Sequence, residues 1–446
     1  MVSGSQGQVV TTPSELPRPR SRGRRHWALR VYAAVATIVS ILTLPYLLMR
    51  ARAGKEDLER IAERRAITKY ERPQGRLIWL HAASVGEILS ALPLAKELLL
   101  HNLADNILVT TGTVSSARMV AERAVDNIIH QYVPLDVPRY AGRFIHHWQP
   151  DGAIFIESEL WPNLIYEIAL ANIPLAFVNG RMSEKSFARW QRWPASSKNL
   201  FKTVQLVLAQ SADHASRFSA LGAVDVRHLG NLKFDTPALP VSENALVSFN
   251  AMVGQRPVWL AASTHEGEER LIAEAHFIIR KRYPELLTII VPRHPDRAST
   301  IVKMLEELQL VVARRSKAEP AVAKSDVYLA DTLGELGLFY RYCDIAFIGG
   351  SLVEVGGHNP IESAQLGCVV IHGPHVQNFV DTYKLLNNIE GVVVVKNENE
   401  LANQVTDLLS QEERRKKLNR MSQVEITRNK GSLERIVLAL SDKFDG

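Results

Sequence analysis

One stretch, residues 349–374, constrains the fold of this chain more than any other. It follows an apolar run at 344–348, which predicts a buried parallel strand. A glycine-rich turn comes next, and Asn359-Pro360 then favours a helix start, because Asn caps helices and Pro fits their first turn. A second apolar run at 368–371 completes a strand–turn–helix–strand unit. Such a unit is half of a nucleotide-binding layer, so we predict an α/β chain with parallel sheets.

The same turn is suited to bind a phosphate. It contains four residues without a β-carbon: Gly349, Gly350, Gly356 and Gly357. Backbone N–H groups at such positions can come close to an anion. The helix after Asn359 would point its positive end there, and Glu362 could accept hydrogen bonds from a ribose. The alternative is that the glycines only form tight turns and that Glu362 only stabilises the helix dipole.

Length and composition allow two domains and indicate an anionic partner. A chain of 446 residues that is 46% hydrophobic and 22% charged can fill two α/β cores. The net charge is +6, but the basic excess lies largely in the N-terminal arm, so we expect apposition to a membrane and no nucleic-acid partner. Cys343 and Cys368 lie in or beside apolar runs, which predicts buried free thiols.

The N-terminal region predicts a membrane anchor. Residues 1–26 are polar and basic and are expected to form a disordered arm, and 27–52 are expected to form the anchoring helix. Within it, residues 31–49 are nearly all apolar, which is long enough to cross a bilayer. A cleaved signal peptide, a spanning helix and a helix lying in the membrane plane all remain open. Pro45 could break the helix, and basic residues on both sides leave its orientation undetermined.

Charged side chains follow predicted strands in the first half of the chain. Glu87 closes the sequence S-V-G-E, Glu157 opens E-S-E-L-W-P-N, and Lys233 lies in G-N-L-K-F-D. The carboxyl ends of strands carry the chemistry of α/β sheets. Glu157 and Glu159 at one strand end are costly if both are buried, so they need a cation, a shared proton or solvent. In the simpler interpretation, Glu87 is an ordinary first-turn acid and Lys233 is a surface lysine paired with Asp235.

Two more motifs follow strands in the second half. Pro292-Arg293 follows the apolar run 287–291, and a guanidinium at a strand end suits a phosphate or a nucleobase. The alternative is that Arg293 pairs with Asp296. A further turn, D-T-L-G-E-L at 331–336, follows the next apolar run.

Other aromatic and histidine groups are less specific. Trp190, Trp193 and Phe187 lie among basic residues, as in a lipid-facing or phosphate-facing patch, but a partly exposed helix with packed aromatic rings fits equally. Three histidines cluster near the glycine-rich turn: His358, His372 and His375. They have no acid or cysteine at ligand spacing, so no metal site is predicted there.

These motifs, in this order, resemble those of the Kdo transferases, which transfer 3-deoxy-D-manno-octulosonic acid from CMP-Kdo onto a lipid A precursor. The resemblance covers residues 76–379 and is carried by S-V-G-E, E-x-E-L-W-P-N, G-x-L-K-F-D, D-T-L-G-E-L and S-L-V-E-V-G-G-H-N-P-I-E. Leu333 stands where the family motif has Met, a change that keeps the approximate volume.

The resemblance implies a GT-B fold, in which two doubly wound Rossmann-like domains face a cleft, with an N-terminal membrane-anchoring helix in addition. Its domains would be an acceptor-binding domain at 55–236, a linker at 237–256 and a nucleotide-sugar-binding domain at 257–446. Glu87 would be the general base, and Glu157 and Lys233 would stabilise the transition state. The residues that would hold the CMP of the donor are Pro292, Arg293, Leu333, Gly334, Glu335, Asn359, Pro360, Ile361 and Glu362.

The resemblance also implies a function and a location. The enzyme would move Kdo from CMP-Kdo onto a sugar hydroxyl of lipid IVA in lipopolysaccharide core biosynthesis, without metal or cofactor. Its partners would be CMP-Kdo, the lipid A precursor and lipids of the bacterial inner membrane, with the catalytic domains on the cytoplasmic side. Two alternatives are a GT-B transferase that uses another nucleotide sugar and a membrane-tethered nucleotide-binding module without catalysis.

Overall fold

The computed structural model of the protein describes residues 25–123, 125–157, 159–318 and 324–444, so most of the predicted disordered arm lies outside the described residues. By its internal contacts the chain divides into two compact units. The first runs to Gly230 and takes in the residues from Glu434 onward, and the second is Asn231–Leu433. Each unit has its own sheet and its own hydrophobic core.

The first unit is built on a seven-stranded parallel sheet. Its strands are β1 (Leu77–His81), β2 (Asn106–Thr111), β3 (Ile128–Tyr132), β4 (Gly152–Ile156), β5 (Leu175–Gly180), β6 (Leu206–Ala209) and β7 (Val226–His228). Its helices are α1 (Trp27–Val39), α2 (Thr43–Arg52), α3 (Val85–Leu100), α4 (Val114–Arg123), α5 (Pro138–Trp148), α6 (Pro162–Leu170), α7 (Glu184–Gln191), α8 (Pro194–Phe201) and α9 (Ala212–Leu221). Central strands such as β1 and β4 are buried at every position, as the continuous apolar runs of their sequences predict.

The second unit has the same kind of sheet. Its strands are β8 (Val258–Thr264), β9 (Leu287–Pro292), β10 (Val312–Arg314), β11 (Val327–Leu329), β12 (Ile345–Ile348), β13 (Val369–His372) and β14 (Val393–Val394). Its helices are α10 (Glu243–Val253), α11 (Glu268–Arg280), α12 (Ala298–Glu307), α13 (Leu336–Tyr342), α14 (Ile361–Gln365), α15 (Val380–Asn388), α16 (Glu398–Ser410) and α17 (Glu412–Arg428). The last helix, α18 (Ser432–Phe444), belongs to the first unit from Glu434 onward. The prediction of two parallel α/β domains is therefore confirmed.

The strand orders locate a crevice in each sheet. The first sheet runs β3-β2-β1-β4-β5-β6-β7, and the second runs β10-β11-β9-β8-β12-β13-β14. In each, the chain leaves the first strand in one direction and later returns to its other side. The order therefore reverses between β1 and β4 and between β8 and β12. In open α/β sheets ligands bind at the carboxyl ends of the strands that flank such a switch point.

A matching hydrogen bond fixes the first two strands of each sheet. Trp79 on β1 donates its indole N–H to the Thr110 hydroxyl of β2 at 2.8 Å. Trp259 on β8 donates in the same way to Thr288 of β9, also at 2.8 Å. All four side chains are fully buried, so each indole satisfies its one donor inside the core.

The predicted domain boundaries differ from the units that the structure shows, and the first unit ends at Gly230, before the predicted 236. The helix α10 lies inside the stretch expected to be a linker, but Phe249 is buried against Tyr328 and Phe339, which makes the helix part of the second core. The C-terminal helix was expected in the second domain. From Glu434 onward this helix belongs to the first unit, because its contacts lie there. The Lys443 ammonium, for example, is 2.9 Å from an Asp225 carboxylate oxygen.

The predicted anchor forms α1 and α2, joined by a short 3₁₀ turn at Ser40–Leu42. Pro45 lies in the first turn of α2, where its missing N–H is tolerated, so it does not end the helical stretch. Within the described residues, Trp27–Arg52 is the one segment long and apolar enough to cross a membrane by length and composition. A single stripe of its side chains is buried: Leu29, Ala33, Ser40, Thr43, Leu47 and Ala51.

The buried stripe packs against the rest of the first unit, and two side-chain contacts, one of them from Tyr32 beside the stripe, reinforce this packing. The Tyr32 hydroxyl lies 2.9 Å from an Asp136 carboxylate oxygen, and the Thr43 and Tyr140 hydroxyls lie 3.1 Å apart. Most of the opposite face is apolar and exposed, with Ile41 77% accessible to solvent. In the folded protein the segment therefore has one face buried against the first unit and one apolar face exposed, although its sequence is apolar nearly all round.

Candidate active site

Glu87 lies at the carboxyl end of β1, in the first turn of α3. The Ser84 hydroxyl donates to one of its carboxylate oxygens at 2.7 Å, and the Ala83 N–H donates to the other at 2.8 Å. In return the Ser84 oxygen accepts the Glu87 N–H and caps the helix. The structural role that the sequence allowed for Glu87 is thus realised, and the residue is only 8% exposed.

Burial gives this carboxyl a second property. Loss of hydration, followed by repulsion from Glu157 and Glu159, raises the pKa of Glu87 to about 7, although the Ser84 and Ala83 donors oppose the rise. A carboxylate whose pKa is near neutrality can accept a proton efficiently at physiological pH. The surroundings therefore fit a general base.

Both neighbouring acids come from the end of β4, the strand that pairs with β1 across the switch point. Glu157 has φ = +59°, a left-handed backbone conformation that is strained for a residue with a side chain. Glu159 accepts the Trp161 indole N–H at 2.7 Å, and its carboxylate lies 3.8 Å from the His81 ring. Three carboxylates thus converge at the first switch point. Glu87 and Glu157, to which the family resemblance gives separate roles, lie close enough for their charges to interact.

Lys233 lies in the second unit, in a short 3₁₀ turn after Asn231. Its ammonium is 4.7 Å from the centre of the Phe379 ring, a cation–π distance. Asp235 accepts the backbone N–H groups of Gly431 and Leu433 at 2.6 and 2.9 Å. That carboxylate therefore caps the start of α18.

The glycine-rich turn after β12 does not use its N–H groups as predicted. The amide of Gly349 donates to Ala262 of β8, and those of Gly356 and Gly357 both donate to the carbonyl of Gly350. A β-carbon at position 349 would lie 2.5 Å from the Ser263 carbonyl oxygen, so this glycine permits close contact between the two strand ends. The prediction that these amides face a phosphate is therefore wrong for this structure.

A buried acid takes the remaining amides of the turn. Glu268, fully buried in the first turn of α11, accepts N–H groups of Gly350, Ser351 and Leu352 at 2.7, 3.0 and 3.0 Å, and that of His265 at 3.0 Å. One carboxylate thus holds the ends of β8 and β12 together across the second switch point. Sequence reasoning missed this residue, because an acidic first turn after a strand is too common to signal it.

The other predicted donor residues lie at neighbouring strand ends of the second sheet. Arg293, after β9, is exposed, and its guanidinium makes no hydrogen bond or ion pair with any residue that the structure describes, Asp296 included. Pro292 is buried at the end of the strand itself. A free guanidinium beside the second switch point remains available to an anionic ligand.

The turn after β11 presents backbone and an apolar side chain. Leu333 is 72% exposed, and Gly334 has φ = +82° with no atom within 4 Å of a hypothetical β-carbon. Glu335 is engaged elsewhere, with its carboxylate held by Arg315 at 2.5 and 3.1 Å and by the Thr332 hydroxyl. The Arg315 hydrogen bonds keep the pKa of Glu335 below its ordinary value. A ligand at this turn would meet Leu333 and the backbone.

Asn359 and its neighbours form the last predicted group. The Asn359 side chain accepts the Ile361 N–H at 3.1 Å and donates to Glu362 at 3.2 Å. Pro360 and Ile361 are buried, whereas Asn359 and Glu362 are half-buried. The helix that follows, α14, has only five residues, so its dipole is small. Of this group, Asn359 and Glu362 are the side chains that a ligand could reach.

The comparisons with known proteins agree with these observations. Residues 59–236 match the family model described as 3-deoxy-D-manno-octulosonic-acid transferase (kdotransferase), and residues 280–424 match glycosyl transferases group 1. The 3-deoxy-D-manno-octulosonic acid transferase of Haemophilus influenzae is 36% identical over 369 residues, which are 82% of this chain and 86% of that protein. The probable mitochondrial 3-deoxy-D-manno-octulosonic acid transferase of Arabidopsis thaliana is 36% identical over 400 residues, 86% of this chain and 88% of that protein.

A solved structure supports the fold. The UDP-GlcNAc 2-epimerase of Neisseria meningitidis, bound to UDP-GlcNAc, is similar with a TM-score of 0.58 over 82% of this chain and 100% of its own. Its sequence is 15% identical, so the likeness shows the fold alone. It agrees with the predicted GT-B type of two parallel-sheet α/β domains.

Proposed function

Since the chain belongs to the 3-deoxy-D-manno-octulosonic acid transferase family and is a Kdo glycosyltransferase, we propose that it transfers Kdo from CMP-Kdo onto a sugar hydroxyl of a lipid A precursor, lipid IVA. The observation that carries the proposal is the site at the first switch point. There a buried carboxyl, Glu87, has a pKa of about 7 beside Glu157 and Glu159. A carboxyl with such a pKa can accept the proton of a sugar hydroxyl at physiological pH.

In the proposed reaction Glu87 accepts the proton of the acceptor hydroxyl. The hydroxyl oxygen then forms a bond to the anomeric carbon of Kdo, while the bond from that carbon to the phosphate oxygen breaks and leaves its electron pair on CMP. The sugar passes through an oxocarbenium-like state, as in glycosyl chemistry generally. Glu157 stabilises the positive charge of the sugar, and Lys233 stabilises a carboxylate or the departing phosphate.

The second unit binds the donor in this proposal. Arg293 offers an uncommitted guanidinium, Leu333 and Gly334 offer an apolar contact and exposed backbone, and Asn359 and Glu362 offer polar side chains. Pro292, Pro360 and Ile361 position these groups from the core, and Glu335 shapes its turn through Arg315. CMP-Kdo is a substrate, and the proposal includes no cofactor and no metal ion.

The proposed acceptor is a membrane lipid, and helices α1 and α2 would hold the enzyme at the membrane. We infer that the two helices lie along the inner-membrane surface, on its cytoplasmic side, with the exposed apolar face in the lipid. Their buried stripe supports this arrangement, because a spanning helix would have to give up the hydrogen bonds of Tyr32 and Thr43. Trp27 and Trp193, 59% and 50% exposed, pack edge to face at 5.8 Å and extend the face with rings that favour the interface.

A vesicle experiment tests this attachment. The triple change Ile38→Ser, Ile41→Ser and Leu42→Ser is expected to weaken sedimentation with anionic phospholipid vesicles about 100-fold or more, because three large apolar side chains no longer enter lipid. A matched change of the equally exposed Leu100 to Ser, on α3, is expected to leave binding unchanged. A triple variant that stays bound as tightly as the wild type contradicts the arrangement.

The transfer assay tests the function itself. Purified protein is supplied with CMP-Kdo generated in situ and a tetra-acylated lipid A precursor, and the product is followed by mass spectrometry. The expected result is an acceptor that gains the mass of Kdo. Competition by CMP but not by UDP-sugars would exclude a transferase with another donor. CMP binding without any transfer would instead favour the nucleotide-binding module and would refute the acceptor assignment.

A further inference from the structure

Two histidines meet at the second switch point. His265 follows β8, and His358 lies in the glycine-rich turn after β12. Their Nε2 atoms are 2.8 Å apart, and the rings are nearly parallel, with 5.1 Å between their centres. Gly350 lies beside both rings, since a β-carbon there would be 3.3 and 3.4 Å from their Cδ2 atoms. Both residues are half-buried, so the pair is fixed in place yet reachable from solvent.

The hydrogen bond between the rings leaves one atom of each for a ligand. One ring donates its Nε2 hydrogen and the other accepts it, so a neutral pair has one Nδ1 with a hydrogen and one without. Neither Nδ1 has a hydrogen-bond partner among the residues that the structure describes. If the pair takes up one proton, both Nδ1 atoms become donors. The protonated pair is then a cationic group with two N–H bonds for an anion.

Burial, together with nearby basic groups, keeps the pair neutral in the absence of a ligand. The charged and titratable groups that face it are Arg293 and His294 after β9, Arg297 before α12, Glu268 and Glu269 on α11, and Tyr383 on α15. Burial, helped by Arg293, lowers the pKa of His358 to about 3. Burial, helped by His294 and Arg293, also lowers the pKa of His265.

The acids nearby are already committed. Glu268 accepts four backbone N–H groups, as described above, and Glu269 binds Arg297 through both oxygens at 2.8 and 3.0 Å. Neither carboxylate is free to neutralise a cation at the pair. An anion that binds beside the rings would therefore be attracted by Arg293 and would raise the pKa of the pair, so that binding and proton uptake are coupled.

We propose that His265 and His358 bind the phosphate of the donor nucleotide and stabilise the negative charge that it gains in the reaction. The inference rests on the proposed function and adds the phosphate ligands to it. As the bond from the anomeric carbon to the phosphate oxygen breaks, the phosphate gains one negative charge. The hydroxyl proton goes to Glu87, and the proton on the histidine pair comes from solvent when the nucleotide binds.

The hydrogen bonds of the glycine-rich turn explain why the histidine pair, and not the backbone, would bind the phosphate. The amides of Gly349, Gly350, Gly356 and Gly357 all donate within the protein, so they offer the phosphate no free hydrogen. His358 lies on the same turn as Asn359, and both rings lie near Arg293; Asn359 and Arg293 are residues of the proposed donor site. The histidine pair supplies the donors that the glycine-rich turn lacks.

Titration calorimetry with CMP and with cytidine tests the inference. The full-length wild type is compared with His265→Gln and His358→Gln at pH 7.5, in two buffers of different ionisation enthalpy. Each variant is expected to bind CMP about tenfold or more weakly, the effect of losing one hydrogen bond to a charged group, and to bind cytidine unchanged. The wild type is expected to take up a proton with CMP, and the variants are not. His101→Gln, at an exposed surface histidine, is the control and should behave as the wild type.

The remaining outcomes separate this inference from the proposed function. Variants that bind CMP like the wild type overturn the role of the pair and leave the donor assignment intact. Variants whose binding of CMP and of cytidine is weakened equally show that the pair has only a structural role, which also overturns the inference. A wild type that binds neither ligand overturns the donor assignment and the inference together.

Discussion

Glu87→Gln is expected to lower kcat for Kdo transfer by about 10²- to 10⁴-fold, the usual contribution of a general base. Glutamine keeps the volume of the side chain and an oxygen that can accept the Ser84 or Ala83 hydrogen bond, so the start of α3 should survive. The matched control is Ser84→Ala, which removes the helix cap and one donor to the carboxylate but leaves the base itself, and is expected to lower stability by about 1 kcal/mol.

Stability gives a second readout for the same variant. The folded protein raises the pKa of Glu87 to about 7, above its value of 4.5 for an unperturbed side chain. The stabilisation from the protonated carboxyl is complete below the unfolded pKa and is lost as the pH rises through about 7. At pH 8 the glutamine variant should therefore have a higher free energy of unfolding than the wild type, by up to about 3 kcal/mol. A variant that is less stable and fully active would show that Glu87 is only a helix cap.

The pH profile connects the base to its neighbours. In the wild type, kcat/KM should rise with pH up to about 7 and then level off, because the base must be ionised. Glu159→Gln removes one like charge and should move this limb to lower pH, whereas Ser84→Ala removes a donor to the ionised carboxylate and should move it to higher pH. If the two variants shifted the limb in the same direction, or did not shift it, the assignment of Glu87 as the general base would be contradicted.

Glu268→Gln is expected to lower the free energy of unfolding of the second unit by about 3–5 kcal/mol. The wild-type carboxylate accepts four backbone N–H groups from two segments of chain. An amide replaces one oxygen by a donor, so two of these buried N–H groups lose a partner and face another N–H. Hydrogen bonds to a charged group are worth about 1.5–3 kcal/mol each, which sets the size of the effect.

Hydrogen exchange locates the effect. The amides of Gly350, Ser351 and Leu352 should exchange much faster in the variant, and denaturant unfolding should show the loss of stability. Glu266→Gln is the matched control, because this acid lies in the same segment but is exposed, and it should change stability by less than about 0.5 kcal/mol. Wild-type exchange at these three amides in Glu268→Gln would show that the carboxylate does not hold the turn.

The sequence by itself determined the two parallel sheets, the family and the motifs that follow the strands. These follow from local patterns: continuous apolar runs for buried strands, and short motifs directly after them. That Glu87 and Glu157 lie beside one another, by contrast, depends on the strand order of the folded sheet, because the strands before them flank a switch point. The roles of Lys233 and of the donor residues are carried by the family motifs and remain predictions.

Only the tertiary structure decided which groups satisfy one another. That Glu268 takes the amides of a turn far along the chain, that His265 meets His358, and that α10 packs into the second core all depend on contacts between distant segments. The pKa of Glu87 likewise depends on burial and on acids from another strand. A hydrophobic period encodes the face of an element but not its partner, since packing and hydrogen bonding between remote residues are properties of the assembled chain.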